Sequence, residues 1–207
     1  MLSLAHLFGQ IDIYLFDQLL KGRIAPGSRI IDAGCGGGRN LVYLLRTADT
    51  EHLEIFAVDS DPLAIAEVRN LSAVLAPHIP ASNFLLESIE SMSFPDAFAD
   101  VVLSNAVLHF AANDSHFQAM LRASWRVLKP GGLFFCRLAS SIGIEHQISR
   151  SGGRRYLLPD GSERYLVDEA LLTHLTGQLG ASLADPIKTT VVQNQRSMTT
   201  WVLRKDD

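Results

Sequence analysis

The chain has 207 residues, a formal net charge of −4, 47% hydrophobic residues and two cysteines. This size and composition can bury a sizeable core, so we expect a single α/β domain over residues 1–207. The absence of a lysine- and arginine-rich block argues against a nucleic-acid partner, and two cysteines without a CxxC motif argue against a metal or redox pair.

The N-terminal segment predicts a helix rather than a leader sequence. Apolar residues from Leu4 to Leu19 recur at helical spacing over residues 3–20. No basic residue precedes the segment and polar residues interrupt it, so we do not expect a signal peptide. The longest uncharged stretch, residues 70–86, contains two prolines and predicts no membrane span. We therefore expect a cytoplasmic protein without a membrane partner, as a monomer or a homodimer.

Residues 30–40 carry the most informative motif. Ile30 and Ile31 end a predicted strand, Asp32 stands at its carboxyl edge, and four glycines follow within residues 34–38. A loop without Cβ atoms lets a ligand lie against the backbone, and the first amides of the next helix point at that ligand. This segment predicts a cofactor-binding loop.

Glycine spacing narrows the choice of cofactor. The dinucleotide-binding fingerprint is G-x-G-x-x-G/A, and counted from Gly34 its last position is occupied by Arg39. The phosphate-binding loop G-x-x-x-x-G-K-[ST] is also absent, because no Lys-Ser or Lys-Thr pair follows the glycines. A second predicted strand at residues 53–58 ends in Asp59, where an acidic residue accepts hydrogen bonds from ribose hydroxyls in doubly wound sheets. Asp61, which a proline follows, is better explained as a helix cap.

Strands and helices alternate along the chain. Strands are predicted at about residues 28–32, 53–58, 82–87, 99–104, 131–138, 181–192 and 198–204, and helices at about 38–47, 61–76, 114–127 and 168–178. This alternation predicts parallel strands with helices on both faces. The exception is residues 139–165, which are rich in Gly, Ser and Arg and contain a Pro-Asp-Gly turn, and which predict a hairpin or lid inserted into the domain.

The motifs together resemble one family. Residues 32–38 match the loop D/E-x-G-x-G-x-G, and residues 127–133 read VLKPGGL. Residues 28–138 as a whole resemble the class I S-adenosylmethionine (SAM) methyltransferases of the small-molecule type, and the GGGRN form of the loop is similar to the tellurite-resistance branch. The resemblance implies a Rossmann-like, doubly wound, mostly parallel seven-stranded sheet with an antiparallel last strand. It also implies SAM as cofactor, S-adenosylhomocysteine as product and a small-molecule acceptor.

The resemblance also assigns the cofactor contacts. They fall on Asp32, Gly34, Cys35, Gly36, Gly38, Asn40, Asp59, Ser60, Ser88, Ile89 and Asn105. Asp32 would orient the amino group of the methionine part, directly or through water. Ser88 and Ile89 replace the family's usual Asp-Ala pair at the adenine, which leaves the serine hydroxyl and the isoleucine amide as candidate contacts. The sequence after Asn105 lacks the prolines and the aromatic residue with which adenine methyltransferases grip a flipped base.

The acceptor side is less defined. His109 is the catalytic candidate, either as a general base or as part of the acceptor pocket, because transfer from a sulfonium depends mainly on alignment. Arg137, Arg155 and Tyr156 are candidates for binding an anionic or polar acceptor. The histidines show no HxH or HExxH spacing, so no metal site is expected. A nicotinamide-dependent (NAD(P)) oxidoreductase and a non-catalytic SAM-binding module remain as alternatives.

Overall fold

The computed structural model describes residues 3–206, which form six α-helices and eleven β-strands. The helices are α1 Leu4–Phe8, α2 Ile13–Leu20, α3 Val42–Thr47, α4 Pro62–Leu75, α5 Asp114–Val127 and α6 Glu169–Gln178. The strands are β1 Arg29–Ala33, β2 Glu54–Asp59, β3 Phe84–Leu86, β4 Ala99–Asn105, β5 Leu128–Ala139, β6 Ser149–Gly152, β7 Arg155–Leu157, β8 Glu163–Tyr165, β9 Ala181–Leu183, β10 Lys188–Val192 and β11 Arg196–Lys205.

Eight strands form one twisted sheet in the order β10–β11–β5–β4–β1–β2–β3, with β9 also paired to β11. Strands β1 to β5 are parallel, whereas β11 runs antiparallel to β5 and to both β9 and β10. The predicted doubly wound sheet with an antiparallel last strand is therefore confirmed. Because the strand order reverses between β1 and β4, a crevice opens at the carboxyl ends of these strands.

The sheet has eight strands rather than the predicted seven because the strand expected at residues 181–192 is split into β9 and β10. Asp185 and Pro186 lie at the break, and a proline has no amide to donate to the ladder. The Asp185 carboxylate accepts hydrogen bonds from Arg23, at 2.7 Å from Nη1, and from Lys21, at 2.9 Å from Nζ. These contacts attach the break to the segment after α2.

The N-terminal segment forms two helices instead of the single one expected. Gly9 ends α1 with a φ of 62°, and a Cβ there would lie 2.9 Å from the Val42 side chain. Asp12 then starts α2, since its carboxylate accepts a hydrogen bond from the Tyr14 amide at 2.9 Å. The Asp12 amide donates to Asn40 Oδ1 at 3.0 Å, which holds this segment against the end of the glycine loop.

The core occupies both faces of the sheet. Ile30 and Ile31, adjacent in β1, are both fully buried, yet they belong to two separate apolar clusters. Successive side chains of a strand point to opposite faces, so a parallel strand covered on both sides is a continuous apolar run. The two clusters hold the sheet rigidly beneath the crevice.

The inserted segment forms a second, three-stranded antiparallel sheet, β6–β7–β8, which we call the insertion sheet (residues 149–165). Its β7–β8 hairpin turns at Pro159–Gly161, as the Pro-Asp-Gly signal predicts, and Gly161 has a φ of 81°. Leu158 is buried in a small apolar cluster, and the Tyr165 ring stacks on Phe117 with centroids 4.6 Å apart. The insertion sheet is thus packed onto the main fold beside β5.

Candidate functional site

A cavity of about 530 Å³ lies in the crevice at the carboxyl ends of β1, β2 and β4; we call it the loop cavity. Nine of the eleven residues predicted to contact the cofactor line it: Gly34, Cys35, Gly36, Asn40, Asp59, Ser60, Ser88, Ile89 and Asn105. The other two, Asp32 and Gly38, are buried and are not among its lining residues. The glycine loop and the ends of three strands therefore meet at one place, as the sequence predicts.

The glycines of the loop differ in the space that a Cβ atom would find at each position. A Cβ at Gly36, whose φ is 52°, would enter open space. A Cβ at Gly34 would lie 2.5 Å from the Val107 side chain, and one at Gly38 would lie 2.8 Å from Val68. Gly36 therefore leaves room for a ligand, whereas Gly34 and Gly38 are needed for close packing of the loop against its neighbours.

The Asp59 carboxylate supports the loop. Its Oδ2 accepts a hydrogen bond from the Gly36 amide at 2.8 Å, and its Oδ1 accepts one from the Asp61 amide at 2.9 Å. A carboxylate offers about four acceptor positions, so these two bonds leave capacity for a ligand hydroxyl. Asp61 accepts a hydrogen bond from the Leu63 amide at 2.9 Å and caps α4, as predicted.

Asp32 and Asn105 are buried polar side chains near the glycine loop that lack hydrogen-bond partners within residues 3–206. Neither carboxylate oxygen of Asp32, and neither side-chain polar atom of Asn105, has a hydrogen-bond partner among residues 3–206. Burial raises the pKa of Asp32 to about 7, while the positive charge of Arg39 lowers it and the negative charge of Asp59 raises it. Unpartnered buried polar groups are rare because each costs the full desolvation penalty. The pair therefore fits a ligand that brings both donors and acceptors.

The loop cavity has further lining residues that are not among the predicted cofactor contacts. They are Gly37, Arg39, Glu90, Ala106, Val107, Phe110, His116 and Met120. His116 accepts a hydrogen bond from the Ala112 amide at Nδ1, and its Nε2 lies 3.5 Å from Glu90 Oε1. Five of these residues follow the carboxyl ends of β3 or β4 within about a dozen residues; the exceptions are Gly37, Arg39 and Met120. Ligands of doubly wound sheets bind at the carboxyl ends of the strands, and this general rule could have located the five residues from sequence.

A second cavity, of about 350 Å³, adjoins the first; we call it the outer cavity. Arg39 and Ala106 line both. The other residues of the outer cavity come from the end of β4, from β5, from the insertion sheet and from the β10–β11 hairpin: His109, Arg137, Ala139, Leu158, Asp160, Ser162, Arg164, Val192, Arg196 and Met198. Ala106, at the junction, has a φ of 64°, which is uncommon for a residue with a side chain.

His109 lines the outer cavity and is 5% exposed. Its Nδ1 accepts a hydrogen bond from the Ala139 amide at 3.1 Å. Burial, together with the charges of Arg164 and Arg137, lowers the pKa of His109 to about 4. At neutral pH the imidazole is therefore uncharged, and because Nδ1 is an acceptor its single proton resides on Nε2.

The structure brings only one of the three predicted acceptor-binding residues to the outer cavity. Arg137 lines it and donates to Asp12 Oδ2 at 3.1 Å. Arg155 instead donates to the Ala111 carbonyl at 2.9 Å and pairs with Glu163, outside both cavities. The Tyr156 hydroxyl accepts hydrogen bonds from the Arg150 guanidinium on the exposed part of the insertion sheet.

Arg164 and Arg196 line the outer cavity but are not among the acceptor-binding residues predicted from the sequence. The pairing of β7 with β8 sets Tyr156 opposite Arg164, and only this register reveals which arginines reach the cavity. Arg196 starts β11, far along the chain from every motif.

Several other site types find no support in residues 3–206. This part of the chain holds no group of three or more His, Cys, Asp or Glu side chains arranged to bind a metal ion. None of its helices is long and apolar enough to cross a membrane. Cys35 and Cys136 are both buried, and burial raises the pKa of each thiol, so neither is a reactive thiolate.

Comparisons with known proteins agree with this geometry. A family described as a methyltransferase domain matches residues 31–136. An uncharacterised methyltransferase of Synechocystis sp. is 28% identical over 111 residues, covering 54% of this chain and 47% of that protein. A tRNA N(3)-cytidine methyltransferase of Mus musculus is 26% identical over 165 residues, covering 75% of this chain and 42% of the relative. The chain thus spans about half the length of the curated relatives it matches.

A solved structure shares the fold. The Burkholderia thailandensis 1,6-didemethyltoxoflavin-N1-methyltransferase, with bound 1,6-didemethyltoxoflavin and S-adenosylhomocysteine, superimposes with a TM-score of 0.65 at 20% identity over 92% of this chain and 75% of that protein. The family match covers the β1 loop through β5, the segment that builds the loop cavity. The glycine loop, the acidic end of β2 and this match together show that the chain belongs to the methyltransferase domain family, and its sheet has the Rossmann-like fold of class I SAM-dependent methyltransferases.

Proposed function

We propose that the enzyme methylates a small-molecule acceptor bound in the outer cavity. The observation that carries this proposal is the junction of the two cavities at Arg39 and Ala106. The loop cavity has the glycine loop for the cofactor, and the adjoining cavity of about 350 Å³ falls at the lower end of the range for small-ligand pockets, roughly 300 to 1,000 Å³. The insertion sheet forms one wall of the outer cavity and would limit the access of large acceptors.

The residues of the loop cavity fit SAM, which when bound supplies an electrophilic methyl group on its sulfonium. The open side of Gly36 leaves space for the methionine part, and Asp32, with no internal partner, can accept from its amino group directly or through water. Asp59 has acceptor capacity left for the ribose hydroxyls. Ser88 and Ile89 line the remaining wall, where the adenine would lie.

His109 is better suited to hold the acceptor than to deprotonate it. Its Nδ1 lone pair is used by the Ala139 amide, and its neutral Nε2 already carries the proton. His109 can therefore donate a hydrogen bond to the acceptor, while alignment of the nucleophile with the methyl group supplies much of the rate. A nucleophile that is already anionic needs no base.

Relatives with other acceptors define the alternative. The mouse relative is named as a tRNA methyltransferase, whereas the Burkholderia structure contains a small heterocyclic substrate. A net charge of −4 gives this chain little attraction for a polyanionic RNA, which supports the small acceptor. The two buried, unpaired thiols are typical of a reducing compartment, so we place the enzyme in the cytoplasm.

The test is release of S-adenosylhomocysteine from SAM in the presence of a panel of small phenols, carboxylic acids, amines and thiols, with bulk tRNA as the competing acceptor. We expect turnover with members of the small-molecule panel and none with tRNA. Turnover with tRNA alone would overturn the proposal. A variant with Gly36→Val, which fills the open side of the loop, should abolish turnover with every acceptor and serves as the control for contaminating activity.

A further inference from the structure

The outer cavity carries more positive charge than its surroundings neutralise. Arg39, Arg164 and Arg196 all line it, and none lies within 4.0 Å of a carboxylate of residues 3–206. The one acidic side chain of its lining is Asp160, whose carboxylate already accepts hydrogen bonds from the Ser162 amide, at 2.9 Å, and hydroxyl, at 2.6 Å. These hydrogen bonds from Ser162 lower the pKa of Asp160, and the charges of Arg164 and Arg196 lower it as well, so this carboxylate offsets part of their charge. Three arginines without an ion pair still face this single carboxylate.

Three nearby arginines are paired with carboxylates, and one of them, Arg137, also lines the outer cavity. Arg137 pairs with Asp12 at 3.1 Å, and Arg154 pairs with Asp168 at 2.9 Å. Arg155 pairs with Glu163. Of the four arginines that line the outer cavity, Arg137 is therefore the one that is ion-paired within residues 3–206, and Arg39, Arg164 and Arg196 have no carboxylate within 4.0 Å.

Arg39, Arg164 and Arg196, which have no ion pair within residues 3–206, stand where an acceptor would be held against the cofactor. Arg39 lines both cavities. The Arg164 guanidinium lies 4.8 Å from the centroid of the Phe110 ring, and Phe110 lines the loop cavity. Arg164 Nη1 donates to the Glu163 carbonyl at 2.8 Å, and within residues 3–206 its remaining N–H groups are free to donate to a ligand. Arg196, at the start of β11, lines the outer cavity as well.

We infer that the outer cavity binds an oxyanion group of the acceptor through Arg39, Arg164 and Arg196, with His109 as an additional hydrogen-bond donor. This inference rests on the proposed function, because it names the chemical class of the acceptor: a molecule that carries a carboxylate, a phosphate or a similar oxyanion. Guanidinium groups bind such groups through short, charge-assisted hydrogen bonds, and His109 remains a neutral donor there.

The test measures binding of small probes to the full chain with S-adenosylhomocysteine present, by calorimetry. Benzoate, phenyl phosphate and inorganic phosphate are the anionic probes, and benzamide is the neutral isostere of benzoate. The variants are Arg164→Gln and Arg196→Gln. Arg150→Gln is the matched control, because it removes the same charge from the same insertion sheet at a residue that lines neither cavity.

We expect at least one anionic probe to bind, and benzamide to bind about tenfold more weakly or not at all. Arg164→Gln and Arg196→Gln should each weaken the anionic probe about tenfold, which corresponds to about 1.4 kcal/mol, while Arg150→Gln changes the affinity less than twofold. Benzoate and phenyl phosphate distinguish a carboxylate from a phosphate acceptor, and binding of inorganic phosphate alone would indicate an inorganic oxyanion. Affinity for S-adenosylhomocysteine should stay within threefold in all three variants.

Equal binding of benzoate and benzamide, no binding of any anionic probe, or equal losses in Arg150→Gln and Arg164→Gln would overturn the inference. Its failure is distinguishable from failure of the proposed function. Anion binding without small-molecule turnover would retain the oxyanion site but place the acceptor on a macromolecule. Turnover of neutral acceptors without anion binding would retain the small-molecule enzyme and remove the oxyanion site.

Discussion

Replacing Asp32 by asparagine should remove a pH dependence from cofactor binding. Asp32 is buried without a hydrogen-bond partner among residues 3–206, and burial raises its pKa to about 7 from the ordinary value of 3.8. If its carboxylate binds the cofactor amino group, only the ionised form binds well. At pH 5 about 1% of the ligand-free protein would be ionised at this residue, compared with about three quarters at pH 7.5.

The expected magnitude follows from that difference. Affinity for S-adenosylhomocysteine should rise about 50- to 100-fold between pH 5 and pH 7.5, close to tenfold per pH unit below pH 7. Asp32→Asn should bind about tenfold or more weakly at pH 7.5, because a charge-assisted bond is lost, and its affinity should change less than about threefold across the same range.

Calorimetry in two buffers of different ionisation enthalpy gives the assay. Binding by the native protein should release close to one proton at pH 5 to 6, whereas the asparagine variant should release almost none. His116 also lines the loop cavity, so His116→Gln is the control that should keep the pH dependence. A native affinity that does not change with pH, or a slope that disappears in His116→Gln and persists in Asp32→Asn, would refute this reasoning.

The same pKa difference has a consequence for stability without ligand. The folded protein retains the Asp32 proton up to about pH 7, while the unfolded chain loses it near its ordinary pKa of 3.8. Stability from this residue is therefore present below about pH 4 and is lost as the pH rises towards 7. Asp32→Asn should accordingly melt at a higher temperature than the native protein at pH 7.5. That result would show that its weaker ligand binding does not come from unfolding.

Three further perturbations test the loop and the insertion. Gly36→Ala should weaken S-adenosylhomocysteine binding by tenfold or more with only a small loss of melting temperature. Gly34→Ala should mainly lower the melting temperature, because its Cβ would lie 2.5 Å from the Val107 side chain. A larger loss of binding in Gly34→Ala than in Gly36→Ala, with the larger loss of melting temperature in Gly36→Ala, would contradict the assigned roles. Asp59→Asn should weaken S-adenosylhomocysteine binding by about 1.5–3 kcal/mol in calorimetry; unchanged affinity would remove the ribose assignment. Replacing residues 150–163 by a short Gly/Ser linker should leave S-adenosylhomocysteine affinity within threefold but abolish transfer; equal loss of both in a folded variant would make the insertion part of the cofactor site.

Local chemistry determined the cofactor half of the site. Positive φ at Gly34 and Gly36, the cap at Asp61 and the carboxyl ends of β1 and β2 all depend on residues close in sequence. Parallel strands necessarily bring their carboxyl ends to one edge, so motifs on separate strands could be placed together without coordinates. This is why nine predicted residues line a single cavity.

Tertiary structure decided the acceptor half. Whether an arginine faces the outer cavity or a wall depends on the register of β7 against β8 and on the path of β11, which contacts over long sequence distances set. The pattern of residues 150–164 marks a hairpin but not which face is covered, so Arg155 and Arg164 look alike in sequence. In the fold, Arg155 pairs opposite Tyr165 whereas Arg164 pairs opposite Tyr156, so the two arginines lie on opposite faces of the hairpin. Arg155 is therefore neutralised by Glu163, while Arg164 lines the outer cavity.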